Sequence, residues 1–168
     1  MSYKPVAIEF ARYNQWQNET LISTGDELDK EALTADHGLF FGSILATLDH
    51  ILMVDRFLLD FARTGAPPGA FDPTQRIETD WAGFRSARVA QDRIICDMAE
   101  SERDSWFEDA ISFHSDRLGR DRAVPRWFYL AQMFNHQTHH RAQVTSALHR
   151  LGVDYGNTDL PYNPHSQF

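Results

Sequence analysis

The chain has 168 residues, 42% of them apolar and 24% charged, which suits one domain with a substantial core and the composition of a soluble globular protein. A formal charge of −8, scarce Lys and scattered Arg without a basic run argue against a general nucleic-acid binder, which needs clustered cations against phosphate. The single cysteine, Cys96, excludes an intrachain disulfide and a Cys-rich zinc site, and its place in the apolar run Ile94-Ile95-Cys96 reads as a buried, inert thiol.

The opening stretch MSYKPVAIEFARYNQ lacks the apolar core of a signal peptide, so a cytoplasmic location is expected. Ile8, Phe10, Tyr13, Gln17 and Leu21 recur at helical spacing and predict a first helix over 5–24. Residues 25–37 are a polar connection with room for one short helical turn. The segment GLFFGSILATLDHILMVDRFLLDFARTG predicts a long second helix over 38–65, stopped by the Gly and Pro of TGAPPGAFDP. Asp49, His50 and Asp55 break its apolar run, so it is not expected to span a membrane.

Trp81, Phe84, Arg88, Gln91, Ile95 and Met98 step by three and four along a third helix over 79–101. Ile111 and Phe113 then alternate with Ser112 and His114, and turn residues follow over 116–121, the pattern of a short hairpin or extended loop. Pro125 suits the first turn of a last helix over 125–151, ended by Gly152. The tail VDYGNTDLPYNPHSQF reads as irregular, with Leu160 and Tyr162 able to pack. Four substantial helices without repeats or linkers predict an all-α, four-helix bundle with long connections, one domain over 1–168.

Three of the eight histidines fall within FNHQTHHRAQ, residues 134–143. Side chains advance about 100° per helical residue, so His136 lies about 40° from His140, on a stripe shared with Tyr129, Met133, Val144, Ala147 and Leu151. His139 sits at the edge of that stripe and His149 on the opposite side. Inward imidazoles at i and i+4 are either two separately hydrogen-bonded core histidines or a pair of metal ligands. His50 shares its own apolar stripe with Ser43, Ala46, Val54, Phe57 and Phe61. Three inward histidines on two helices predict a three-histidine site with one or two open positions, the arrangement of catalytic rather than closed structural metal sites. HQTHH has the outer spacing of H-E-x-x-H, but neutral Gln137 stands where a metalloprotease carries its base. No Glu has a His three residues on, so one metal is expected and not a di-iron pair.

The blocks ARYNQWQNETL, FFGSILATLDHILMVDRFLL and NHQTHHRAQVTSALHRLGVDYGNTDLP together resemble the DinB family of bacterial proteins, which is distinct from the DNA polymerase of that name. The resemblance covers nearly the whole chain, and the dense N-H-x-x-H-H-R-x-Q is its most specific part. It implies a four-helix bundle holding one divalent metal on three histidines, at positions matching His50, His136 and His140. It also implies a homodimer, and relatives that include S-transferases and isomerases dependent on glutathione, mycothiol or bacillithiol. By the same resemblance Asn14 belongs behind the metal pocket. Trp16 is expected to pack within its helix pair, Asn18 to face solvent, and Arg141 to pair with a surface Asp. Arg88, Gln91 and Gln137 are the candidate polar groups of the pocket.

Three functions follow. A metal with open positions could activate a low-molecular-weight thiol for transfer to, or isomerisation of, a small-molecule substrate, or activate water for hydrolysis. The ion could instead staple the bundle without catalysis, or serve a stress sensor acting through a partner. Zinc or nickel suits three imidazoles best, with iron or manganese also able to bind. Neither nucleic acid nor membrane is an expected partner.

Overall fold

The computed structural model describes residues 2–66 and 72–168. In chain order it contains α1 (Lys4–Asp26), α2 (Lys30–Thr34), α3 (Ile44–Thr64), α4 (Trp81–Ser101), α5 (Asp104–Glu108), β1 (Ala110–Ser115), β2 (Arg120–Pro125) and α6 (Arg126–Arg150), then a single 3-10 turn at Leu160–Tyr162. The four long helices form an all-α bundle in which α3 packs along α6 and α1 along α4.

The helix ends follow local chemistry. The second helix does not begin at Gly38. Leu39 and Gly42 form a bridge, Gly42 takes a φ of +80°, and the Ser43 hydroxyl accepts from Ala46 N at 3.1 Å to cap α3. The run Leu39-Phe40-Phe41 is therefore a turn before the helix and not its first turn. Gly65, at φ +71°, closes α3 with a bond from its N–H to Phe61 O at 2.9 Å. The predicted stop at Pro67 and Pro68 lies outside the described residues. The third helix starts at Trp81 and not Thr79, because the Asp80 carboxylate accepts from Gly83 N at 2.9 Å. Pro125 is the residue before α6, with extended ψ, rather than part of its first turn.

β1 and β2 make the hairpin that alternation suggested, in antiparallel register from Ala110 opposite Pro125 to Ser115 opposite Arg120. Its inward residues Ile111 and Val124 cover Phe61, with Phe113 and Tyr129 at the margin. The tail is held by polar bonds along α1. Tyr13 donates to Thr158 O at 2.6 Å, Gln17 to Asn157 O at 3.0 Å, and Ser166 to Glu9 at 2.8 Å. Leu160 and Tyr162, which were able to pack, stay exposed.

The core is layered along the bundle axis. One apolar cluster gathers Ala7 and Ala11 of α1, Leu58 and Ala62 of α3, Ile95 and Met98 of α4, and Leu130 and Met133 of α6. The other gathers Leu21, Leu45, Leu48, Phe84, Val144 and Leu148. Between them, at one level on all four helices, lie the buried polar residues Asn18, Asp55, Arg88, Asp92, Gln137 and Arg141. Cys96 is half-buried rather than fully enclosed. Its thiol donates to Gln15 Oε1 at 3.3 Å and is pushed up to about 12, chiefly by desolvation, so it is inert as a thiolate. Among the described residues no helix is long and apolar enough to cross a membrane.

Near the end of α1, Gly25 lies against the Trp81 indole, which Asp26 pins by accepting from its Nε1 at 2.7 Å. A Cβ at Gly25 would overlap the ring. Ala normally gains about 0.5–1 kcal/mol over Gly in a helix. Here Gly25→Ala is expected to reverse that sign and lose about 1–2 kcal/mol through overpacking. Urea unfolding checks this, and a raised midpoint would contradict the packing.

Candidate metal centre

His50 projects from α3, and His136 and His140 from α6, across the seam where these helices pack. One ligand nitrogen from each comes within 4.8 Å of the others. The Nε2 atoms of His50 and His136 are 3.1 Å apart. Two nitrogens that share an ion at about 2.0–2.1 Å lie roughly 3.0–3.4 Å from each other, so this spacing suits a common ion. His139 is exposed and accepts from Gln143 Nε2 at 3.3 Å, and His149 is exposed, so neither joins the cluster.

The hydrogen bonds show which nitrogens of His50 and His140 are free. His50 Nδ1 donates to Pro73 O at 3.1 Å, because a carbonyl can only accept, and this leaves a lone pair at Nε2. His140 Nδ1 likewise donates to Gln143 Oε1 at 2.9 Å. His136 Nδ1 is buried without a partner, so only Nε2 of that ring finds company. Burial, and then the neighbouring imidazoles, lower His136 to about 3 and His50 to about 4, and burial also lowers His140. All three are neutral at pH 7, the form that ligates a metal. The donor set and its orientation fit a divalent cation.

Two features of this centre were not legible as functional. Asp49, fully buried beside His50, accepts from Arg76 Nε at 2.8 Å, Ile77 N at 3.0 Å and Glu78 N at 2.8 Å. It thereby ties the segment before α4 to α3 and brings Pro73 O onto His50. The signal was an acidic residue inside an apolar helical run, next to a ligand. Phe41 stacks on His50 with ring centroids 3.9 Å apart, which makes the LFFG turn a wall of the site.

The remaining candidates belong to the buried polar layer and not to the histidine cluster. Arg88 donates to Asp55 at 2.6 Å and Asp92 at 2.8 Å. Gln137 donates to Asp55 at 2.7 Å and accepts from Arg141 at 3.2 Å. Gln91 is buried on α4 beside this layer. Asn18 is buried, not solvent-facing, because its amide donates to Asp92 Oδ1 at 2.9 Å. Arg141 is buried as well, where a surface ion pair was expected, and lies 5.6 Å from the Tyr13 ring centre. Asn14 donates to Phe10 O on its own helix at 2.6 Å and makes no hydrogen bond to the histidines among the described residues. Trp16 packs edge-on against Tyr13. Burial raises Asp55 and pushes Asp92 up to about 6, against the pull of Arg88.

A family model described as the DinB family matches residues 1–167. No curated protein and no solved structure gives a significant match.

Asp49→Ala leaves two backbone N–H groups and Arg76 without their acceptor, and is expected to cost about 2–4 kcal/mol. With Pro73 released, metal affinity should fall about 10–100-fold, as for loss of a group that orients a ligand. Competition against a chromophoric chelator checks this, and unchanged affinity in the destabilised variant would refute the orienting role. Protons displace metal from the folded protein only as pH falls through the folded-state pKa values, which lie below the ordinary 6.5. Zinc binding should therefore hold at pH 5.5 and fade below about 4–5. Loss centred at 6.5 would mean that the imidazoles are solvated.

Proposed function

We propose that this chain, which belongs to the DinB family, binds one divalent ion through His50, His136 and His140 and uses it to activate a small molecule, in the manner of a thiol-dependent S-transferase or isomerase. The observation that carries this reading is the convergence of neutral ring nitrogens on one point, with no fourth His, Cys, Asp or Glu in the cluster among the described residues. The undescribed stretch 67–71, Pro-Pro-Gly-Ala-Phe, contains none of these residue types either. Open positions then remain for solvent or substrate. Zinc or nickel suits such a donor set.

A bound ion of this kind is a Lewis acid that lowers the pKa of a thiol or water beside it. The protein's own part is orientation and exclusion. Pro73 O and Gln143 fix the His50 and His140 rings, and Phe41 keeps water off one face of His50. A groove of about 370 Å³ runs between the 38–40 turn and α6, past Gln143 to Arg150. It borders the centre through Gln143, which holds His140, and supplies room for part of a cosubstrate beside the cluster. Gln137 takes no proton, since it is a neutral amide committed to Asp55 and Arg141, and this disfavours metalloprotease chemistry.

Metal analysis of His50→Ala and His140→Ala should show loss of the ion, with retention in His149→Ala. Full occupancy in the His140 variant would sink the assignment. In the cobalt-substituted protein, titration with glutathione, mycothiol or bacillithiol should produce the near-ultraviolet charge-transfer band of a thiolate on Co(II). Absence of the band with all three at millimolar concentration would reject the thiol reading and favour hydrolysis or a stabilising role.

A further inference from the structure

Arg141 points away from the metal centre, about 100° round α6 from His140, into a separate cavity. This cavity, about 160 Å³ and partly open to solvent, is lined by Tyr13 and Gln17 of α1, Thr138, Arg141 and Thr145 of α6, and Thr158 of the tail. No carboxylate lines it, and no ion pair to Arg141 occurs among the described residues. Arg141 as a whole is 4% exposed. Of its five donors, one reaches Gln137 Oε1 at 3.2 Å and one makes a long 3.5 Å contact with Thr138. Arg88, one layer neighbour away, shows the contrast, because it is sealed between two carboxylates.

We infer that this cavity is a binding site for a small monocarboxylate, seated on the free edge of the Arg141 guanidinium between α1, α6 and the tail. The planar fork matches two carboxylate oxygens. Thr145 and Thr158 border the same space. A single guanidinium in the lining balances one negative charge, so a dianion would bury one unit uncompensated. Desolvation lowers Arg141 to about 10, the direction expected of a buried cation without a close counter-ion, and still leaves it charged at pH 7. The site is independent of the metal reading, since it shares no residue with the three histidines.

The test follows the Arg141 side-chain N–H resonance by NMR at constant ionic strength while acetate, inorganic phosphate or chloride is added to the full chain. Acetate should shift it saturably and more tightly than either other anion. Thr145→Leu, which fills the cavity from a half-buried helical position and leaves the guanidinium in place, should weaken acetate at least tenfold with metal content unchanged. Arg141→Lys keeps the charge but loses the fork, and, followed through the Thr145 backbone N–H resonance instead, should weaken acetate similarly. No saturable shift, an equal response in Thr145→Leu, or tighter phosphate than acetate would each overturn the proposal.

Discussion

Asp55 Oδ2 receives Arg88 at 2.6 Å and Gln137 at 2.7 Å, in complete burial, and so binds α3, α4 and α6 at one point. Asp92 extends the knot to α1 through Asn18. Removing one partner of a buried ion pair costs about 3–5 kcal/mol, because the other is left charged in a poor solvent. Rotation of any one helix is therefore penalised by the others. That rotational lock decides where the histidines go. His50 precedes Asp55 by five residues and lies about 140° round α3 from it, while His136 and His140 lie about 100° and 60° to one side of Gln137. With Asp55 and Gln137 turned toward each other, the imidazoles are carried to the same flank of the α3–α6 seam.

The layered interior separates two tasks. Apolar residues above and below supply the bulk of the stabilising burial, and the polar layer supplies uniqueness of register. The metal centre sits at the height of that layer but outside it, and its supports come from elsewhere: a loop carbonyl at Pro73, a side chain at Gln143, a ring at Phe41. The ligands thus stand on rigid helices while irregular chain trims their orientation, a division suited to holding imidazoles at fixed directions.

Periodicity in the sequence revealed the long helices, the hairpin and the inward phase of the three histidines, because each depends on spacing along one element. It misjudged Asn18, since its partner Asp92 lies 74 residues away on another helix and no single helical wheel shows that meeting, and it misjudged Arg141, which turns inward with Gln137 one turn before it on the same helix. It placed Arg88 on the correct inward stripe but did not show the ion pairs with Asp55 and Asp92 that hold it there. The start of α3 was obscured because Leu39, Phe40 and Phe41 are as apolar as the helix they precede. Phe41 walls His50 and Leu39 packs against the core, and the Gly42-Ser43 pair is the true boundary. Asp49 was read as an interruption when it is an anchor for backbone that comes 28 and 29 residues later.

The separation of 86 residues between His50 and His136 has a temporal consequence. A nascent chain that has extended only through α4 can pair α1 with α4, but it presents α3 with an unmatched flank and a solitary imidazole. Contacts between distant segments form late, after the entropy of closing the intervening loop has been overcome. The three-histidine cluster is thus assembled only on completion of α6, and a half-made molecule carries no such convergence of imidazoles.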